Sequence, residues 1–174
     1  MTDGLDFDEY VAANGRALER YAYVLTGQAV GAQDLVQTTL MKAYRHWRRV
    51  SRAEFPDAYV RRILTNTFLD QRRRRGAPEQ PMAVVPDQAI GADLAEGAAA
   101  RSEIDWALQH LSPHQRAVIV LRHLIGLSDA AIAQELGCSE ATVRSHVTRG
   151  LQRMRDVLGE QPTGSPDTPT RRLR

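Results

Sequence analysis

Apolar residues recur every three or four positions along most of this chain, and the pattern breaks once, between residues 76 and 100. Such spacing puts the apolar side chains on one face of a helix. Valine and isoleucine do not alternate in runs, which argues against an all-β barrel. An all-α fold is expected: two small helical domains joined by a flexible linker. Residues 1–75 form the first domain, 76–97 an acidic linker, 98–158 the second domain and 159–174 a disordered tail.

In the first domain, Phe7–Leu25 repeats apolar residues at helical spacing and Gly27 breaks it. A second helix is expected over Ala32–Trp47, with Asp34 near its N-terminus, where a carboxylate meets the positive end of the dipole. Arg48–Phe55 reads as a loop. Pro56 suits the first turn of a third helix, running from about Asp57 to Arg75 with Val60, Ile63, Leu64, Thr67 and Phe68 facing in. Residues 76–100 hold Gly76, Pro78, Pro81, Pro86, Gly91 and Gly97, with weak periodicity.

Helical spacing resumes at Ala98–His110. Ser112, Pro113 and Gln115 then carry a capping-box signature, and Gly126 closes the helix that follows. Two further helices, about Asp129–Leu136 and Glu140–Leu158, read as a helix-turn-helix. Ala133 is small at the crossing, Gly137 suits a turn with positive φ, and Cys138 takes an apolar position. Ser139 can cap the second helix, whose inner face is Val143, Val147 and Leu151. That leaves Ala141, Thr142, Ser145, Thr148, Arg149 and Gln152 outward, with Arg144 on the flank. Small polar residues plus arginine suit a major-groove reader.

Charge is segregated. The chain holds 23 basic and 21 acidic residues, net +2, yet residues 42–75 alone hold eleven basic and three acidic, net +8. Residues 1–41 are net −4 and residues 76–111 net −5. A basic block of that size is the footprint of a phosphate-binding surface.

The one cysteine, Cys138, precludes an internal disulfide. His110 and His114 cannot share a helical face, because Ser112-Pro113 starts a new helix between them. No metal or other cofactor is expected. No stretch of 18 apolar residues suggests a membrane span, and acidic residues 1–9 do not read as a secretory signal. The expected compartment is the cytoplasm. No nucleophile elbow, P-loop or HExxH pattern supports catalysis.

Taken in order, these motifs resemble the extracytoplasmic-function (ECF), or group IV, sigma factors of bacterial RNA polymerase, and the arginine-rich composition is similar to actinobacterial members. Asp34-Leu35-Val36-Gln37 resembles the family's core-binding motif. Asn66 and Asp70, followed by Arg72–Arg75, resemble the helix that ends sigma domain 2. Leu127–Arg155 resembles the helix-turn-helix of sigma domain 4. The resemblance covers about residues 5–158.

It implies partners and roles. The first domain would bind the clamp helices of the β′ subunit of core polymerase through Asp34 and Gln37, with Leu35 and Leu40 supplying apolar contact. Thr38 departs from the family, which often has an acidic residue there. Arg61, Arg62, Arg72, Arg73, Arg74 and Arg75 would neutralise phosphates at the minus-ten element of promoter DNA, and Asn66 would bond a base edge. Arg48–Phe55 would capture a flipped base, with Phe55 inside that loop and Trp47, read chiefly as core, bordering it.

The second domain would touch the β flap and read the minus-thirty-five element through Ala141, Thr142, Arg144, Ser145, Thr148 and Arg149. The two elements lie on the order of 70 Å apart, within the roughly 85 Å reach of residues 76–100 when extended. An anti-sigma factor is a further possible partner. The rival reading is a helix-turn-helix regulator that acts without replacing the sigma subunit. It leaves the basic third helix and the Asp34–Gln37 motif unexplained.

Overall fold

The structure is a computed structural model that describes residues 5–76 and 103–159. The expected linker and tail lie almost wholly outside the described residues, as do residues 98–102 of the helix expected over Ala98–His110. Among the described residues every regular element is helical.

In the first domain, α1 spans Phe7–Thr26, α2 Ala29–Arg45, the single turn α3 Trp47–Val50 and α4 Pro56–Arg74. Helix α1 starts where the Asp6 carboxylate accepts the backbone N–H groups of Asp8 and Glu9 at 2.9 and 3.2 Å. It stops at Gly27, whose φ of 73° only glycine adopts without strain. Helix α2 begins three residues before the expected start, so Asp34 sits in its second turn and does not cap it. The segment expected as the loop Arg48–Phe55 begins inside α3, and the loop proper is shorter.

The core of this domain is Tyr10, Leu18, Leu25, Leu35, Val60, Leu64 and Phe68, from α1, α2 and α4. One buried polar contact crosses it: the Tyr21 hydroxyl and Thr65 Oγ1 lie 2.7 Å apart. Thr65 also donates to the Arg61 carbonyl at 3.0 Å, so the phenol is the donor between the two side chains. Trp47 belongs to this packing too. It packs edge-on against Phe7 and at a tilt against Tyr10, and its indole N–H donates to the Leu5 carbonyl at 2.8 Å.

In the second domain, residues 103–109 are helical (α5), α6 spans Pro113–Ile119, α7 Asp129–Leu136 and α8 Glu140–Gly159. The capping box forms as expected: Ser112 Oγ accepts from the Gln115 N–H, and Gln115 Oε1 accepts from the Ser112 N–H. Helix α6 is shorter than expected. It opens at Val120–Leu124 into a wider π turn, closed by the Ile125 N–H on the Val120 carbonyl at 3.1 Å. That turn carries Arg122 onto Asp129, at the start of α7. Gly150 is buried where α8 crosses α6, and a Cβ there would lie 2.6 Å from Ile119 Cδ1. This close approach was not read from the sequence, which marked only Ala133.

The two domains touch. Helices α1 and α4 of the first meet α6 and α7 of the second.

Candidate nucleic-acid and polymerase interfaces

The helix-turn-helix has the expected anatomy. Ser128 caps α7 by accepting the Ala131 N–H at 3.2 Å. Gly137 turns the chain with φ 67°. Ser139 accepts the Thr142 N–H at 3.1 Å at the start of α8. Ile132, Ala133, Val143 and Val147 are buried between the helices, and half-buried Cys138 packs beside them. Burial raises the Cys138 thiol pKa, the opposite of an activated thiolate.

The outer face of α8 is accessible. Ala141, Thr142, Arg144, Thr148, Arg149 and Gln152 are exposed, and Ser145 is half-buried. Arg144 leans on Glu140 one turn back, at 3.5 Å, and both remain exposed. Such a pair holds its arginine weakly.

On α2, Asp34 and Gln37 are exposed, but Leu35 is fully buried. The expected apolar contact through Leu35 is therefore corrected: its side chain belongs to the bundle core. Leu40 is packed against that core as well. Val30 and Met41, 70% and 57% exposed, flank Asp34 and Gln37 instead. At 100° per residue these four positions fall within a narrow stripe, whereas Leu35 points more than a third of a turn away from its centre.

The basic helix α4 divides into two sets. Arg62, Arg73, Arg74 and Arg75 are exposed, and Arg73 pairs with Asp70 at 3.2 Å. Asn66 is half-buried. Arg61 and Arg72, both expected among the phosphate-neutralising arginines, are half-buried and turned inward. Arg61 lies 3.6 Å from Glu135 of α7, an ion pair too long for a hydrogen bond. Arg72 lies over the Phe68 ring and donates to the Thr26 carbonyl at 3.5 Å. Burial, and then the nearby Arg75 charge, lower its pKa. Phe55, at the head of α4, is 66% exposed.

Sequence reasoning missed Arg116. It is 5% exposed and fully engaged. Its Nε donates to the Leu108 carbonyl at 2.8 Å, Nη1 to Leu25 at 2.6 Å, and Nη2 to Gln109 and Leu111 at 3.0 and 3.3 Å. Burial first, then Arg72, pull its pKa down to about 9, so it stays charged at neutrality. None of those four partners is a carboxylate. The cation is held by carbonyl dipoles at the ends of α1 and α5, where the macrodipole is negative. A lone arginine inside an apolar helical repeat was the available signal.

Among the described residues no group of three or more His, Cys, Asp or Glu side chains converges as metal ligands would. None of the described helices is long and apolar enough to cross a membrane.

Comparison with known proteins shows which family the chain belongs to. Residues 10–77 match Sigma-70 region 2 and residues 101–154 match Sigma-70, region 4. The RNA polymerase sigma-E factor of Streptomyces avermitilis is 39% identical over 154 residues, covering 88% of this chain and 86% of that protein. The chain belongs to the ECF group of the sigma-70 family. The ECF RNA polymerase sigma factor SigL of Mycobacterium tuberculosis is 34% identical over 159 residues, covering 88% and 87% of the two chains. The fold of this ECF sigma factor is also similar to the sigma factor RpoE of Bartonella quintana, solved in complex with the anti-sigma factor NepR. The TM-score is 0.67 at 30% identity, covering 90% of this chain and 99% of that one. The family match assigns α1–α4 to region 2, which a regulator acting without polymerase does not need.

Proposed function

We propose that this alternative sigma factor meets polymerase and promoter through three separate exposed surfaces. The α2 stripe of Val30, Asp34, Gln37 and Met41 docks on the β′ clamp helices of core polymerase. The exposed arginines of α4, with Asn66, engage the minus-ten element. The outer face of α8 reads the minus-thirty-five element, with Arg144 and Arg149 contacting base edges, and the second domain touches the β flap.

The observation that carries this reading is the α8 face, polar and basic outside a well-formed helix-turn-helix. The protein acts by binding alone, in the cytoplasm beside the polymerase. An anti-sigma factor is a further partner, by analogy with the RpoE–NepR pair. Mapping transcript 5′ ends after overexpression tests the reading. New starts must share two upstream elements at a fixed separation. Starts with no shared pair contradict it.

A further inference from the structure

Val30, Asp34, Gln37 and Met41 are separated by four, three and four residues, and Tyr44 continues the alternation three residues on. It stands seven residues beyond Gln37, and so only about 20° around the helix from it. Spacing that alternates between four and three makes the seam by which one helix packs along another at a shallow angle of about 20°. Eight large apolar side chains are exposed among the described residues. Three of them, Val30, Met41 and Tyr44, stand on α2, and all three fall on this seam. Leu35 and Ala43, off the seam, are fully buried. The seam is therefore apolar surface that the core of the first domain does not use.

Tyr44 is 65% exposed, yet it is held in place. Its ring meets the Phe7 ring edge-on, with centroids 4.9 Å apart and planes at 63°. Phe7 opens α1 and also packs edge-on against Trp47, with centroids 5.1 Å apart. Trp47 packs in turn against the buried ring of Tyr10. A chain of four rings thus runs from the bundle core, through the first turn of α1, to one end of the seam on α2. A side chain already held in one position loses little freedom when a partner covers it. Aromatic residues are also where the energy of interfaces concentrates.

We infer that Tyr44 is the aromatic anchor of the core-docking face and that Phe7 of α1 is the positioning residue that holds it. The occupant is a β′ clamp helix of core polymerase lying along α2. An apolar side chain of that helix packs on the outer face of the Tyr44 ring, and a basic one meets Asp34. The inference rests on the proposed docking of α2 on the clamp helices and extends that face by one turn. It also gives the first turn of α1 a part in polymerase binding, although α1 itself stays outside the interface.

The test is titration of the full chain with core polymerase. Tyr44→Ala weakens association about tenfold or more, the scale of a truncated interface aromatic. Tyr44→Phe keeps the ring and stays within about twofold of the parent. Phe7→Ala weakens association about three- to tenfold, the scale of one aromatic pair, and has no further effect in the Tyr44→Ala background. That non-additivity is what a positioning role requires. Equal losses in both backgrounds would make Phe7 a structural residue only and overturn its role. Phe7→Leu, which keeps α1 packed, takes its place if Phe7→Ala unfolds less cooperatively than the parent. Association unchanged by Tyr44→Ala but weakened by Asp34→Arg overturns the anchor alone. Association unchanged by both overturns the docking face itself.

A second arm uses a single-stranded minus-ten oligonucleotide. Tyr44→Ala leaves its binding by the free chain unchanged. Lost oligonucleotide binding with core association intact would make Tyr44 a base-stacking platform and overturn the inference.

Discussion

Arg116 Nη1 donates to the Leu25 carbonyl at 2.6 Å, across 91 residues of chain. The same guanidinium bonds three carbonyls of its own domain, so one cation organises both the α5–α6 corner and the seam with the first domain.

Arg116→Ala is therefore expected to cost about 3 kcal/mol or more of second-domain stability. Each buried acceptor left unsatisfied costs about 1–3 kcal/mol. Denaturant unfolding checks it, and the loss appears as a lower midpoint. A change under 1 kcal/mol would mean that water replaces the guanidinium.

Much of this architecture was legible in the sequence. The capping box at Ser112, the turn at Gly137 and the inner face of α8 depend on local chemistry, and local chemistry is what spacing records. Arg116 was not legible, because Leu25 lies 91 residues away in sequence and the three nearer carbonyls converge on the guanidinium only through the turn between α5 and α6. Leu35 was misassigned for a related reason. Adjacency in a sequence motif places Leu35 beside Asp34, but a helix turns the two side chains apart. The π turn after Ile119 also escaped periodicity, which does not distinguish one extra residue in a turn.

Tyr21→Phe removes the donor to Thr65 inside the first domain. Thr65 keeps its bond to the Arg61 carbonyl, so the expected loss is only about 1 kcal/mol. Burial raises the Tyr21 pKa well above its ordinary value, so the phenol stays protonated in the native state at neutral pH. Thermal unfolding of the two proteins side by side measures the difference.

The stripe on α2 makes a sharper demand. Asp34→Arg and Met41→Glu change exposed side chains, so each should leave stability within about 0.5 kcal/mol of the parent. Each should nevertheless weaken association with core polymerase at least severalfold in a titration. A Leu35 variant would lose stability first, by about 2–5 kcal/mol for Leu35→Ala.

On α8, Arg144→Ala and Arg149→Ala should each weaken minus-thirty-five binding by about 1–3 kcal/mol, if each contacts a base edge. The Arg144–Glu140 pair is exposed, so its loss does not obscure the result. Anisotropy titrations with cognate and scrambled duplexes separate base reading from phosphate contact. Equal losses on both duplexes would reassign these arginines to the backbone.

Replacing Arg73, Arg74 and Arg75 together should flatten the salt dependence of binding to a single-stranded minus-ten element. The logarithmic slope falls by roughly 0.7 for each phosphate contact removed. An unchanged slope would place the minus-ten contacts elsewhere on α4.

The central claim is that this chain docks on core polymerase and gives it promoter choice. Gel filtration of the purified chain with core polymerase, followed by run-off transcription from the promoter upstream of its own gene, tests it most directly. The account predicts co-elution and a single defined start that core alone does not produce. A folded chain that elutes apart from core and leaves its transcription unchanged would contradict the account.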